Sequence, residues 1–327
     1  MDEISQLNLL PTHTTERSRL AQKILDMALS FSYYNLFERV SETCSTQAEQ
    51  FFAHQRHLIR RQLEKNNPIS FTYIGFPAKS PNRDKTISHL PDMAEFLALS
   101  RLNHLTESVQ SIYPPGAKVV ICQDGHVFND ILQIPDQQVD DYVHALQAIC
   151  HENQLTGISF TQLGQYFPKA NNYEEQRAQF IRSSPMMLED IRQSIRHKTM
   201  ENMLFKGIHR LMYEDLIGLE PDHSRTYHRN QAKDLALSVM HRYIAWEYFI
   251  HHQFPDAVHF SPHPLSIEFS RIGLQLVPSH DSWATPWHHA AILDGSAYSL
   301  VKYKSAVKKN TILKQSSQGY AYFELIG

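Results

Sequence analysis

Three short apolar segments alternate with two amphipathic segments between residues 69 and 160, and this order constrains the fold most. Residues 69–74 alternate apolar and polar side chains rich in β-prone residues, which is typical of a strand. Short apolar runs at 118–122 and 156–160 predict two further strands, and side chains at helical spacing fill the stretches between the three. Strands joined by helices need crossover connections, so we predict a parallel sheet with helices on its faces.

The regions on either side of this pattern differ in character. Residues 14–65 and 173–252 carry apolar side chains mostly at helical spacing. The strands predicted after Pro255 are 258–261, 272–277, 298–303 and 320–325. We predict three units: a helical N-terminal segment (1–66), a Rossmann-like α/β catalytic domain (67–265) and a C-terminal β-containing segment packed on it (266–327).

Composition excludes several classes of protein. The formal net charge of −3, with basic and acidic residues interspersed, offers no extended basic face for nucleic acid. No apolar run approaches the ~20 residues that span a bilayer, and the N-terminus lacks the apolar stretch of a signal peptide. Three cysteines without a CxxC pair indicate neither a disulfide framework nor a zinc site. We expect a cytoplasmic protein without nucleic-acid or membrane partners.

A cationic loop directly follows the first predicted strand. Residues 76–85 read FPAKSPNRDK, in which Lys79, Arg83 and Lys85 supply charged donors and Ser80 and Asn82 neutral ones. This is the chemistry of an anion site, such as one for phosphate. The chain has neither GxxxxGK[ST] nor GxGxxG, so the phosphate would belong to a molecule smaller than a nucleotide. The alternative is an exposed charged loop, because lysine and arginine are mostly exposed in proteins.

Asp124 and His126 follow the second strand, on either side of Gly125. A carboxylate and an imidazole so placed can transfer protons near neutral pH. In parallel sheets, ligands bind outside the carboxyl ends of the strands. The cationic loop and the turn at Asp124 could therefore face one pocket. The alternative is structural, because Asp-Gly commonly forms a turn.

Two proline-flanked segments near the C-terminus contain further histidines. They read Ser261-Pro262-His263-Pro264 and Thr285-Pro286-Trp287-His288-His289. Proline fixes the backbone on either side and suits a positioned side chain, although ordinary core or surface histidines are the commoner case. The 20 histidines give little support to a metal site, because the chain contains no HExxH and no His followed two positions later by Asp or Glu.

Long ordered blocks between about Phe71 and Trp287 resemble the isonitrile (isocyanide) synthase family, which includes pyoverdine/dityrosine biosynthetic enzymes. The blocks are FPAKSPNRDK, LPDMAEFLAL, YPPGAKVVICQDGHVFND and TPWH, with further similar segments at 206–216 and 240–246. The resemblance implies a Rossmann-like fold and conversion of the amino group of tyrosine or tryptophan into an isonitrile. It also implies ribulose 5-phosphate as carbon source, no metal or nucleotide cofactor, and a downstream iron-dependent oxygenase in the pathway.

The resemblance also suggests roles for individual residues. It implies that Lys79, Ser80, Asn82 and Lys85 hold the sugar phosphate. Proton transfer is assigned to Asp124, His126 and His263. On the amino-acid side, Arg242 would anchor the carboxylate, and Ser261, Trp287 and His288 would line the site.

His259 departs from the family pattern. Where the family has Arg-Leu-Ser-Ile-His-Pro, this chain has His259-Phe260-Ser261-Pro262-His263-Pro264. Histidine does not reproduce the permanent charge and fork geometry of arginine. Either His259 binds an anionic group as imidazolium, or it is a neutral packing residue and Arg242 or Arg271 is the anchor. Because of this change, a formyl-amino acid product of imine or retro-aldol chemistry, or binding without turnover, stays open as an alternative function.

Overall fold

A computed structural model of the chain describes residues 10–33, 52–197, 199–264 and 271–326. The helices are α1 Leu10–Leu29, α2 Ala53–Glu64, α3 Met93–Ile112, α4 Gly125–Phe128, α5 Asp136–Glu152, α6 Leu163–Tyr166, α7 Tyr173–Arg182, α8 Leu188–His197, α9 Thr199–Leu219, α10 Arg225–Gln253 and α11 Tyr303–Val307. The strands are β1 Ile69–Gly75, β2 Ala117–Gln123, β3 Ile158–Thr161, β4 Val258–Ser261, β5 Arg271–Gly273, β6 Ala290–Asp294, β7 Ala297–Val301, β8 Thr311–Gln315 and β9 Ala321–Leu325.

The five strands of the central sheet are all parallel, in the order β3-β2-β1-β4-β5. The predicted α/β fold, a mostly parallel sheet flanked by helices with additional C-terminal strands, is confirmed. Helices α1 and α2 pack against this sheet, since Ile24 and Leu58 share a core with Phe71 of β1. Residues 1–9 and 34–51 of the predicted helical N-terminal segment, and with them Cys44, lie outside the described residues.

The start of helix α3 is fixed by the side chains of its first turn. Asp92 precedes the helix, and its carboxylate accepts a hydrogen bond from the Ala94 amide at 2.8 Å. The Glu95 carboxylate accepts one from the Asp92 amide at 2.9 Å, which completes a capping box. The first turn of α3 is therefore fixed beside the loop that follows β1, where Lys79 meets the same two carboxylates.

The carboxyl ends of β1 and β2 are tied together. The Gln123 side-chain amide at the end of β2 donates to the carbonyl oxygens of Phe76 and Pro77, at 3.0 and 2.8 Å. Gly125 permits this approach, because a Cβ there would lie 2.2 Å from the Pro77 oxygen. The order of the strands in the sheet reverses between β1 and β4. The carboxyl edge of the sheet next to the Gln123 hydrogen bonds is therefore the topological switch point, where ligands bind in open parallel sheets.

Helices α7–α10 form a second layer over this edge. Their core includes Ile208 and Met212 of α9 and Met240 and Trp246 of α10, and it joins the sheet through Ile74 at the end of β1. The predicted helical region 173–252 is therefore a cover for the switch point. No helix in the described ranges is both long and apolar enough to span a lipid bilayer.

The C-terminal strands form a separate four-stranded sheet in the order β7-β6-β9-β8. Three details differ from the sequence prediction. Of the segment predicted as a strand at 272–277, only the part within β5 forms a strand. β5 pairs with β4 in the central sheet rather than with the C-terminal strands. Strands β6 and β8 were not predicted. A 3-10 turn, Pro286–His288, leads into β6 and brings Trp287 and His288 to the carboxyl edge of the central sheet.

Candidate active site

A cleft opens at the switch point between the carboxyl ends of β1, β2 and β4 and helices α9 and α10. It holds about 640 Å³ of empty space, including the part open to solvent. Its polar lining side chains are Asp124, Tyr243, His263 and His288, and its apolar lining residues are Ile74, Pro77, Phe128, Leu132, Leu204, Ile208, Leu211, Met212, Val239, Pro262 and Trp287. We call this space the main cleft.

Asp124 supplies the main cleft with a group that titrates near neutrality. Its carboxyl is buried, and Oδ1 has no hydrogen-bond partner in the described part of the chain. Burial disfavours the charged form and raises the pKa of Asp124 to about 7. A carboxyl with such a pKa can both accept and return a proton at physiological pH.

His263 and His288 are neutral at that pH. Burial lowers the pKa of His263 to about 3, with a further effect of Arg271. Burial lowers the pKa of His288 well below its usual value, and the positive charge of Lys85 adds to this. Neither Nδ1 atom has a partner among the described residues, so both imidazoles are free to hydrogen-bond a ligand in the main cleft.

Tyr243 is an additional polar residue that the sequence interpretation did not select. Its hydroxyl accepts a hydrogen bond of 2.6 Å from Arg271, whose Nε lies 2.7 Å from the Glu247 carboxylate. Ser261, at the end of β4, is fully buried, and its hydroxyl accepts a hydrogen bond of 3.3 Å from the His263 amide. Tyr243 lies in segment 240–246, which resembles the family, but the sequence does not distinguish it from Arg242 as a site residue.

Both lysines of the cationic loop are buried, although Arg83 in the same loop is exposed, so the exposed-loop alternative is wrong for the lysines. Lys79 is 0% exposed, and its ammonium lies 2.9 Å from Asp92 Oδ2 and 2.8 Å from Glu95 Oε2. It also donates to the Pro286 carbonyl oxygen at 3.0 Å. Lys85 is 2% exposed and lies 2.7 Å from Asp215 Oδ1. Both ammonium groups thus have protein carboxylates as partners, and neither lysine lines the main cleft.

The two neutral residues of the loop are also engaged. The Ser80 hydroxyl donates to Asp215 Oδ1 at 2.8 Å, and the Asn82 side-chain amide donates to the Glu214 carbonyl oxygen at 2.8 Å. These contacts attach the loop to α9. The predicted phosphate-binding role of the loop stays a prediction, and it would require these groups to exchange partners.

His126 points away from Asp124. Its ring stacks on Tyr173 with centroids 3.6 Å apart, and its Nε2 lies 2.9 Å from Asp140. Nδ1 lies 3.3 Å from Asp136. The turn at Gly125 starts α4 and separates the two side chains, so the structure does not bring the predicted acid/base pair together in the main cleft.

Arg242 also lies outside the main cleft. Its guanidinium forms two hydrogen bonds with the Asp130 carboxylate, and it donates to the Val127 carbonyl oxygen at 2.7 Å. This pairing ties α10 to the segment after α4. The role of Arg242 as carboxylate anchor stays a prediction, as do the other predicted site roles. The geometry favours residues of the cleft wall over Arg242 for this role.

His259 lies in the middle of the sheet. Its Nδ1 is 2.6 Å from the Thr72 hydroxyl, and its ring stacks on His251 with centroids 3.8 Å apart. Burial lowers the pKa of His259 to about 3, and His251 and Arg271 add to the effect. These surroundings favour the neutral alternative, with Arg271 on the adjacent strand as the nearer cation.

The first prediction concerns the charge of His259. We expect substrate affinity to show no ionisation of this residue between pH 5 and 8, and we expect His259→Arg to destabilise the fold by about 1–3 kcal/mol because it buries a charge beside Arg271. Chemical denaturation measures the second effect. His252→Arg, at an exposed position near the end of α10 and next to His251, is the control. Affinity that falls as pH rises through 6.5, with a stable His259→Arg, would contradict the neutral assignment.

No group of three or more His, Cys, Asp or Glu side chains within the described ranges is arranged to hold a metal ion. The buried thiols of Cys122 and Cys150 are free. Burial raises the pKa of Cys122 well above its usual value and that of Cys150 to about 12, so neither supplies a thiolate near neutral pH.

The fold and site together define the class: a Rossmann-like α/β protein with a cleft at its switch point that contains a buried carboxyl with a raised pKa. Residues 59–314 match the family described as pyoverdine/dityrosine biosynthesis protein. The chain belongs to this family, which confirms the resemblance noted from the sequence blocks.

Relatives and a solved structure agree with this assignment. The chain is 32% identical to the L-tyrosine isonitrile synthase of Xenorhabdus nematophila, with 86% of this chain and 85% of the relative covered. It is 34% identical to the L-tryptophan isonitrile synthase AmbI2 of Fischerella ambigua, with 73% and 72% covered. The crystal structure of the PvcA protein from Pseudomonas aeruginosa superposes with a TM-score of 0.86 at 32% identity, covering 94% of this chain and 99% of PvcA.

Proposed function

We propose that this chain is an isonitrile synthase that converts the amino group of tyrosine or tryptophan into an isonitrile, with ribulose 5-phosphate as the carbon source. The observation that carries the proposal is the buried Asp124 carboxyl in the main cleft of a chain similar to both tyrosine and tryptophan isonitrile synthases. The proposal places the protein in secondary metabolism, in the cytoplasm, and without a metal or nucleotide cofactor. An iron-dependent oxygenase would act on its product.

The first chemical step needs a proton carrier of the kind that Asp124 provides. The substrate nitrogen attacks the C2 carbonyl of the sugar phosphate, and the Asp124 carboxylate accepts a proton from that nitrogen. The protonated carboxyl then returns the proton to the alkoxide oxygen, which gives the carbinolamine. A second transfer of the same kind, from the nitrogen to the carbinolamine hydroxyl, lets that oxygen leave as water and gives an imine. A pKa of about 7 suits these transfers. Later proton transfers and carbon–carbon cleavage release the sugar fragments.

The neutral histidines and Tyr243 support this step by hydrogen bonding. The free Nδ1 atoms of His263 and His288 can orient the sugar hydroxyls or the carbinolamine oxygen. Helices α9 and α10 bring apolar side chains over the cleft, which excludes water and lengthens the life of the imine. Trp287 closes the opposite wall and packs on Phe76, with ring centroids 5.1 Å apart.

The described lining of the main cleft contains no lysine or arginine, and Lys79 and Lys85 are each paired with buried carboxylates. The positive charges of Lys85 and Lys79 contribute to the low pKa of His288, after burial, so their field reaches the cleft wall. We propose that the two lysines bind the phosphate after they exchange their carboxylate partners.

Product analysis tests the proposed function. Purified protein given tyrosine or tryptophan with ribulose 5-phosphate is expected to form the matching isonitrile, detected by mass spectrometry and by the nitrogen–carbon stretch in the infrared. Omission of either substrate is the control. A formyl-amino acid would support the alternative enzyme. Binding of both substrates without any product would support a protein that has lost turnover.

A further inference from the structure

An apolar chamber adjoins the main cleft. Its lining residues are Pro77, Ala78, Ser80, Pro81, Ile131, Leu132, Gln133, Ile134, Met212, Asp215, Leu216, Leu219, Leu235 and His288. It contains about 500 Å³ of empty space, part of it open to solvent. Pro77, Leu132, Met212 and His288 line both spaces, so the two are adjacent and share the His288 side chain as part of their walls. The proton transfers described above take place in the main cleft and do not involve this chamber.

Asp215 gives the chamber an acceptor within an otherwise largely apolar wall. Its Oδ1 already accepts from Ser80 at 2.8 Å and from Lys85 at 2.7 Å. Oδ2 accepts no hydrogen bond from any residue in the described ranges. A carboxylate here repels phosphate and favours a ligand group that donates a hydrogen bond.

The chamber has an apolar wall, a hydrogen-bond acceptor and a position next to His288. These features suit one part of the substrate. We propose that the chamber binds the aromatic ring of the amino acid, and that Asp215 Oδ2 accepts a hydrogen bond from the phenol O–H or the indole N–H. This inference rests on the proposed function. It leaves the amino group at His288, facing Asp124 across the main cleft, where the sugar phosphate binds.

Leu235 is the position at which a larger side chain would fill the chamber without entering the main cleft. Its side chain lies on α10, lines the chamber but not the main cleft, and is only partly buried, so a larger residue disturbs the core little. Leu235→Phe is expected to raise the KM for the aromatic amino acid by about tenfold or more and to change the KM for ribulose 5-phosphate by less than about twofold. The matched control is Leu313→Phe on β8, where the leucine is 50% exposed.

The ring donor is tested without any variant. Calorimetry of the wild-type protein is expected to show phenylalanine binding about 10- to 100-fold more weakly than tyrosine, because phenylalanine leaves Asp215 Oδ2 without the charge-assisted hydrogen bond. Replacing Asp215 itself would also release Lys85 and Ser80, so the ligand rather than the residue is changed.

The outcomes separate this inference from the proposed function. If the wild type forms an isonitrile but Leu235→Phe leaves the amino-acid KM unchanged, or raises the sugar KM instead, the chamber is not the ring site. Equal affinity for phenylalanine and tyrosine would overturn the role of Asp215. A wild type that neither binds nor converts aromatic amino acids would overturn the proposed function, and with it this inference. If Leu235→Phe does not fold, Leu235→Ala is expected to improve the use of tryptophan relative to tyrosine, and an unchanged preference would also count against the chamber.

Discussion

Asp124→Asn is expected to lower turnover by about 10²–10⁴-fold, because asparagine keeps the shape of the side chain but cannot carry a proton. Steady-state kinetics with both substrates measure this effect, and KM values near those of the wild type would locate the loss in the chemical steps. His126→Asn is the comparison two residues away, since His126 faces Asp136 and Tyr173 rather than the main cleft. We expect it to reduce stability more than turnover. Undiminished turnover in Asp124→Asn would remove Asp124 from the mechanism.

The pH dependence gives a second, independent measure of Asp124. The ordinary pKa of an aspartate is about 3.8, and burial raises that of Asp124 to about 7 in the folded protein. The folded state therefore holds this proton more tightly. The associated stability is fully present below pH 3.8 and is lost as pH rises through 7, on the order of 4 kcal/mol in total. Asp124→Asn should remove this dependence, so the stability of the variant relative to wild type should increase from pH 5 to pH 8 in denaturation experiments.

The parts of the fold that follow from side-chain periodicity were predictable. In α3 and α5 the buried apolar side chains recur at helical spacing, and β1 matches the strand predicted at 69–74 with one additional residue, Gly75. Strand β8 was missed because four of its five residues are exposed, so no alternation of apolar and polar residues marks it. The pairing of β5 with β4 depends on a contact between distant segments that local patterns do not encode.

The site was predictable only where topology alone decides position. Asp124 lies in the cleft because it follows a parallel strand beside the switch point, which the order of strands already implies. The state of Lys79 depends on Asp92 and Glu95, and that of Lys85 on Asp215, which is 130 residues further along the chain. Composition shows that a loop is cationic, but it does not show which distant carboxylates neutralise the loop after folding.

Lys79→Met is expected to destabilise the protein by about 3–5 kcal/mol, because it leaves the buried carboxylates of Asp92 and Glu95 without a cation. Urea denaturation measures the loss. Arg83→Met is the matched control in the same loop, and its exposed side chain predicts a change within about 0.5 kcal/mol. The sequence interpretation leads to a different result, in which Lys79 variants fold normally and lose about 1.5–3 kcal/mol of sugar-phosphate binding. A stable Lys79→Met that no longer binds ribulose 5-phosphate would restore the phosphate-binding role.

The cause of the destabilisation can be separated from a simple loss of packing. Burial raises the pKa of Glu95 to about 8 even beside Lys79, and removal of the Lys79 cation raises it further. Without Lys79, Asp92 and Glu95 repel each other in a buried site at alkaline pH, and protonation of Glu95 relieves this repulsion. The defect of Lys79→Met should therefore shrink as pH falls, and Glu95→Gln in the same background should recover part of the stability. The Lys79 ammonium also donates to the Pro286 carbonyl oxygen, so the variant should release the turn that carries Trp287 and His288. A defect that is independent of pH and unaffected by Glu95→Gln would assign the loss to packing rather than to charge.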